Sequence, residues 1–181
     1  MTAFERRLAG APSSIRADLV AEFWATHRPT PLVEPVPQPP ADARGPGPVA
    51  PGAGQAAPRE VIVTFLWRDA GPTEVLMFAN RLTDERGLAA SLMAQVTGTD
   101  IWHLSYRLGS DWRASYGFVP RLPDAPWPWA HDAARAEPVG AAGIEPVDQV
   151  ALRRALDQCL PDPTNPARNR NRAGWAQSVV A

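Results

Sequence analysis

The sequence predicts a mainly β protein: an immunoglobulin-like β-sandwich with a short N-terminal helix and a C-terminal helix and extended tail. Two observations predict it. The large apolar side chains concentrate at residues 15–24 and 61–119, and within the second stretch β-branched and aromatic runs recur, separated by turn residues. One of these runs, Ile101–Leu108 (IWHLSYRL), alternates between faces with a period of two, as a half-buried antiparallel strand does. Several short strands at regular spacing with turn signals between them build a sandwich.

The elements follow in chain order. Residues 14–27 read as a helix capped by Ser13 or Ser14, with Ile15, Leu19 and Phe23 on one face, extended by Trp24, and Pro29 as the stop. A helix this short is marginal alone, so its apolar stripe is expected to dock on the rest of the domain. Residues 29–58 read as a linker. Ten of these thirty positions are proline and none is aromatic, too little apolar surface to offset the entropy of ordering, so an extended, mobile segment is expected. The chain therefore divides into an N-terminal helical segment (1–28), a Pro/Ala/Gly-rich linker (29–58) and a β domain (59–181).

Val61–Trp67 (VIVTFLW) has the continuous apolar character of a central strand covered on both faces. Arg68–Pro72 carries turn residues, and Thr73–Ala79 is a second strand expected to pair with the first as a hairpin. Residues 80–97 are irregular. On Ile101–Leu108, Trp102, Leu104, Tyr106 and Leu108 point one way and His103, Ser105 and Arg107 the other. Gly109-Ser110-Asp111 turns the chain into a fourth strand, Arg113–Val119, with Tyr116 and Phe118 on one face. Residues 120–145 are loop-rich, with Trp127 and Trp129 around Pro128. Asp148–Leu160 has helical patterning, Pro161 ends it, and a polar tail runs to Ser178.

Composition excludes several classes. A net charge of −1 without a long run of one sign argues against a nucleic-acid binder. No window approaches the roughly 18 apolar residues of a membrane span, and residues 1–8 are not followed by the apolar core of a signal peptide, so a soluble cytoplasmic protein is expected. The basic residues are 18 arginines and no lysine, a bias that high-GC codon usage explains globally. The single cysteine, Cys159, precludes an internal disulfide and is expected to be buried and inert beside Leu156 and Leu160.

The catalytic motifs that would mark an enzyme are missing from the sequence: no G-x-S-x-G elbow, no phosphate-binding loop, no dinucleotide fingerprint. His27, His103 and His131 stand far apart, without cysteine or carboxylate at metal-ligand spacing, so no metal site and no cofactor is expected. Asp100, His103 and Ser105 resemble a triad only in composition. Two residues along a strand place His103 and Ser105 roughly 7 Å apart, beyond a nucleophile–base hydrogen bond. The richer cluster is Trp102, Tyr106, Arg107, Trp112, Arg113 and Tyr116, with His103 on the polar face of the same strand. Arginine offers a planar cation and the aromatics offer flat stacking surfaces to an anionic, ringed or hydroxyl-rich ligand. The candidate ligand-binding residues are Arg113, Trp112, Trp102, Arg107, His103 and Tyr116, with Arg113 first because it follows the turn beside Trp112.

The runs Val63–Arg68 (VTFLWR), Gly98–Leu108 (GTDIWHLSYRL) and Ser110–Pro120 (SDWRASYGFVP) together resemble the N-terminal domain of enterochelin (enterobactin) esterases, in the same order. Pro161–Pro166 is similar to that family's D-P-x-N-P element, and Ser178-Val179-Val180 to its exit toward a second domain. The resemblance spans roughly residues 58–181. It implies an immunoglobulin-like domain of a cytoplasmic hydrolase that cleaves the esters of ferric catecholate siderophores in iron acquisition. The Ser-His-Asp machinery of that family lies in a C-terminal α/β-hydrolase domain, and this sequence ends where that domain would begin. The resemblance therefore implies an accessory, substrate-recognising role, with a ferric catecholate siderophore as ligand, iron held only by that ligand, and a separate α/β-hydrolase chain as catalytic partner. A truncated gene, a split enzyme and a stand-alone binding module, for carbohydrate or a protein partner, all remain open on the sequence.

Overall fold

A computed structural model describes residues 2–36, 59–85, 87–128 and 149–180. Two four-stranded antiparallel sheets face each other. The first has the order β1 (Leu32–Pro35), β2 (Glu60–Arg68), β5 (Ile101–Gly109), β4 (Ala94–Gln95). The second has the order β3 (Glu74–Ala79), β6 (Ala114–Arg121), β8 (Ala176–Val180), β7 (Arg168–Arg170). The expected mainly β architecture is present.

Strand alternation fills the space between the sheets. Val63, Phe65 and Trp67 of β2 and Trp102 of β5 meet Val75, Met77 and Ala79 of β3 and Tyr116 and Phe118 of β6. Phe65 lies edge-on to Tyr116, with ring centroids 4.9 Å apart. The opposite faces are covered by helices. Leu66 and Ile101 pack beneath Leu8 of α1 (Thr2–Ala9) and Leu19, Phe23 and Trp24 of α2 (Ser13–Thr26). Leu76 and Val119 pack beneath Leu152, Leu156 and Cys159, which belong to or follow α3 (Gln149–Asp157). β2 is thus covered on both faces, as its apolar run predicts.

The N-terminal helix docks as expected, with differences. The residue before α2 is Pro12, no side chain caps its N-terminus, and Ser13 is already helical. Ile15 is 44% exposed, and Phe4 and Leu8 of α1, a helix absent from the sequence reading, join the cluster instead. Trp24 locks α2 to the first sheet: its indole N–H donates to Asp100 Oδ1 at 3.0 Å, and the Arg68 guanidinium, bound to Asp100 Oδ2 at 2.8 Å, lies over its ring.

The expected hairpin between the first two strands of the β domain does not form. β2 is already flanked by β1 and β5, so both its edges are paired, while β3 pairs with β6. The intervening turn, held by Gly71 N–H donating to Asp69 Oδ1 at 2.9 Å, crosses between sheets. On one side of it, Asp69 N–H bonds to Asp100 O; on the other, Thr73 N–H bonds to Arg121 O. The β5–β6 turn crosses in the same way.

The linker begins later than its composition implies. Thr30 is buried, and Leu32–Pro35 pairs in register with Val61–Thr64 as an edge strand. Proline is tolerated there because one side of an edge strand needs no N–H donor. The expectation for residues 37–58 lies outside the described residues, as do Trp129 and His131. Residues 80–97 resolve into a 3-10 turn, Leu88–Ser91, and the short β4. The polar tail supplies β7 and β8. Among the described residues no helix is long and apolar enough to cross a membrane.

Candidate functional site

β5 sends its side chains alternately inward and outward, and this separates the residues singled out in the sequence. Trp102 and Tyr116 are interior: the Trp102 indole donates to Asp69 O at 2.9 Å, and Tyr116 is fully buried. His103 faces the other way, beneath α1, with Nε2 3.0 Å from Glu5 Oε1. Arg107 lies on that same outer face, exposed and paired with Glu60, its Nε 2.9 Å from Oε2. Trp112 and Arg113 stay together at the β5–β6 turn, where Trp112 packs against the inter-sheet core and Arg113 Nη1 donates to Ser110 O at 3.1 Å and Trp112 O at 2.9 Å. The six residues do not converge on one surface. Asp100, His103 and Ser105 do not converge either, since Asp100 is held by Trp24 and Arg68 and Ser105 Oγ lies 2.8 Å from Thr64 Oγ1.

Tyr116 instead anchors a buried polar knot around Asp162-Pro163-Thr164-Asn165-Pro166. Its hydroxyl donates to Asp162 Oδ2 at 2.8 Å and accepts from Asn165 Nδ2 at 3.0 Å. Thr30 Oγ1 also donates to Asp162 Oδ2. Thr164 N–H and hydroxyl donate to Asp162 Oδ1 at 2.8 and 2.7 Å, and Asp162 N–H donates to Ser178 Oγ at 2.8 Å. Arg168 Nη1 reaches Ser178 Oγ at 3.0 Å. Burial, and then the neighbouring Asp162 carboxylate, push the phenol well above its ordinary pKa. The knot ties the segment after α2 to β6 and β8. Its polar groups are satisfied by one another, which makes it a clasp rather than a reactive site.

The outer face of the second sheet carries a polar cleft of about 410 Å³. Its walls come from the end of β3 (Asn80), from β6 (Ser115), from α3 (Arg153, Asp157) and from β7 with its turn (Asn169 to Arg172). The sequence Arg168-Asn169-Arg170-Asn171-Arg172 builds the last wall. Gly174, at φ 86, closes a three-residue loop between Asn171 and Trp175, a conformation that suits glycine. Asn171 Nδ2 donates to Asp157 O at 2.8 Å, so the hairpin tip is pinned to the end of α3. Sequence reasoning passed over this cleft by treating the tail as merely polar. The available signal was the run of five consecutive Arg and Asn residues at 168–172, of which all but the first line the cleft.

Among the described residues no group of three or more His, Cys, Asp or Glu side chains is placed to hold a metal ion. Cys159 is buried, its thiol pushed up by burial and partly offset by the Gln177 amide 3.5 Å away.

The model of the family described as enterochelin esterase, N-terminal, matches residues 62–181. The iron(III) enterobactin esterase of Dickeya dadantii is 36% identical over 67 residues, covering 33% of this chain and 15% of that protein. The iron(III) enterobactin esterase of Escherichia coli O6:H1 is 28% identical over 134 residues, covering 65% of this chain and 29% of that protein. The crystal structure of ferric enterobactin esterase from Salmonella typhimurium is 29% identical, covers 67% of this chain and 31% of that one, and superposes with a TM-score of 0.45. The chain spans less than a third of the length of each of these relatives.

Proposed function

We propose, since this chain belongs to the enterochelin esterase N-terminal family, that it is the substrate-recognising part of ferric catecholate siderophore ester hydrolysis in the cytoplasm. The observation that carries this reading is the family match over residues 62–181, which runs through β2 to β8. On this reading the two sheets are an immunoglobulin-like sandwich and the chemistry belongs to an α/β-hydrolase partner. Ser105 and His103 support that division, since one is bonded to Thr64 and the other faces Glu5.

Trp112 and Arg113 are the proposed contacts, being the pair of singled-out residues that stays together at a surface turn. A ferric catecholate complex is anionic and ringed, which matches a guanidinium beside an indole. Trp102 and Tyr116 lie instead in the inter-sheet core, Trp102 at the far end of β5 from that turn. Iron enters only within the siderophore.

The test is a fluorescence titration of the full chain with ferric enterobactin, alone and mixed with the hydrolase domain of an enterobactin esterase. Saturable binding that Arg113→Ala weakens roughly tenfold is expected, as for loss of one charge-assisted contact worth about 1.5 kcal/mol. Absence of binding in both mixtures, or binding to a glucan and not to the siderophore, overturns the reading. Unchanged affinity in Arg113→Ala removes the Trp112–Arg113 pair from it.

A further inference from the structure

We propose that the cleft between α3 and the β7–β8 hairpin is a binding site for a small oxyanion, a carboxylate or phosphate that carries a neighbouring hydroxyl. This does not depend on the siderophore reading; it rests on which donors in the cleft are already committed and which are not.

The committed ones build the walls. Arg168 turns inward and is taken up by the Asp162 knot. Arg170 Nη1 donates to Gly174 O at 2.7 Å and stiffens the hairpin tip. Asn171 is used twice, its Nδ2 on Asp157 O and its Oδ1 accepting from Trp175 N–H at 3.0 Å. Arg153 pairs with Glu85 at 2.9 Å. These bonds fix the position of the hairpin relative to α3 before any ligand arrives, which is the condition for a preorganised site.

The uncommitted ones are Arg172, Asn169, Asn80 and Ser115. Each lines the cleft, and none makes a side-chain hydrogen bond or ion pair among the described residues. They come from separate stretches of the chain (the end of β3, the start of β6, and β7 with its turn), so sequence proximity did not gather them. A guanidinium, two carboxamides and a hydroxyl are the donor types that satisfy the several lone pairs of a carboxylate or phosphate.

Charge points the same way. Beside Arg153, which Glu85 offsets, the lining holds Arg170 and Arg172 against one carboxylate, Asp157, in a chain whose net charge is −1. The positive character is therefore local. Asp157 also sets the direction of the ligand. It stands at the C-terminal end of α3, where carbonyl dipoles repel an anion, so the oxyanion belongs at the Arg172 side and a hydroxyl of the ligand donates to Asp157. The volume of about 410 Å³ admits a molecule of hydroxy-acid or sugar-phosphate size.

The experiment is calorimetric titration of the full chain with citrate and, separately, with glucose 6-phosphate, with glucose as the neutral control. One of the two anions is expected to bind saturably, which identifies carboxylate or phosphate, and glucose is expected not to. Arg172→Gln is expected to weaken that binding at least tenfold at unchanged melting temperature. Should Arg172→Gln lower the melting temperature, Arg172→Lys, which restores the charge, is expected to recover most of the affinity. In ¹H–¹⁵N spectra the side-chain amides of Asn80 and Asn169 are expected to shift on titration. Failure of both anions to bind, or binding that Arg172→Gln leaves unchanged, overturns the proposal.

Discussion

Tyr116 shows how much a single buried hydroxyl organises. It sits between a carboxylate that needs donors and a carboxamide that donates, and Thr30 arrives at the same carboxylate from the far side of the linker. Tyr116→Phe leaves Asp162 short of a donor inside the protein, so a loss of about 1–3 kcal/mol in chemical denaturation is expected. Burial raises both the Tyr116 phenol and the Cys159 thiol. Because the folded values exceed the unfolded ones, about 10 and about 8.5, stability is complete below that range and falls as pH rises through it. Melting temperatures measured from pH 8 to 11 should decline, and Tyr116→Phe should flatten the upper part of that decline. Gly117 is a steric counterpart. A Cβ there would come 2.4 Å from Cys159 Sγ and 2.9 Å from Leu160 O, at the point where Phe118 and Leu160 exchange backbone hydrogen bonds. Gly117→Ala is expected to cost about 1–3 kcal/mol by overpacking, again read by denaturation.

At the scale of elements, the strands were the most legible part of the chain. The period-two pattern of Ile101–Leu108 reads correctly into a strand with Trp102 and Tyr106 inward and His103 and Arg107 outward. That same alternation is why the clustered aromatics and arginines of the sequence do not make one patch: neighbours in sequence on a strand belong to opposite faces. Arg107, paired with Glu60 in solvent, contributes little to stability. The elements that were missed owe their order to partners distant in sequence. Leu32–Pro35 is a strand because β2 offers it an edge, and Arg168–Arg170 because β8 does. α2 depends on distant residues too, through Trp24, Asp100 and Arg68. Trp24→Phe keeps an aromatic ring but loses the donor and part of the buried indole, so a loss of about 1–3 kcal/mol and faster amide hydrogen exchange in α2 than elsewhere are expected.

At the scale of the whole molecule, two sheets enclose one core and each sheet needs a helical cover on its other face. Removal of residues 2–28 would bare Leu66, Val96 and Ile101 on the first sheet. The shortened chain is expected to bind hydrophobic dyes and to elute as oligomers in size-exclusion chromatography, whereas the full chain should do neither. Elution of the shortened chain as a dye-negative monomer would show that the sheet face is covered in some other way. By itself the sequence determined the central strands β2, β3, β5 and β6, the apolar side of β5 and β6, that an N-terminal helix docks, and the ordered motifs of the family. These properties are local: periodicity, turn chemistry and residue type are written in consecutive positions. Only the tertiary structure decided that β2 and β3 lie in different sheets, that Thr30 closes on Asp162, and that Asn80, Ser115, Asn169 and Arg172 share a cleft. Pairing between elements is chosen by which edges are already occupied and which apolar faces remain to be covered, and that choice exists only once the chain has assembled.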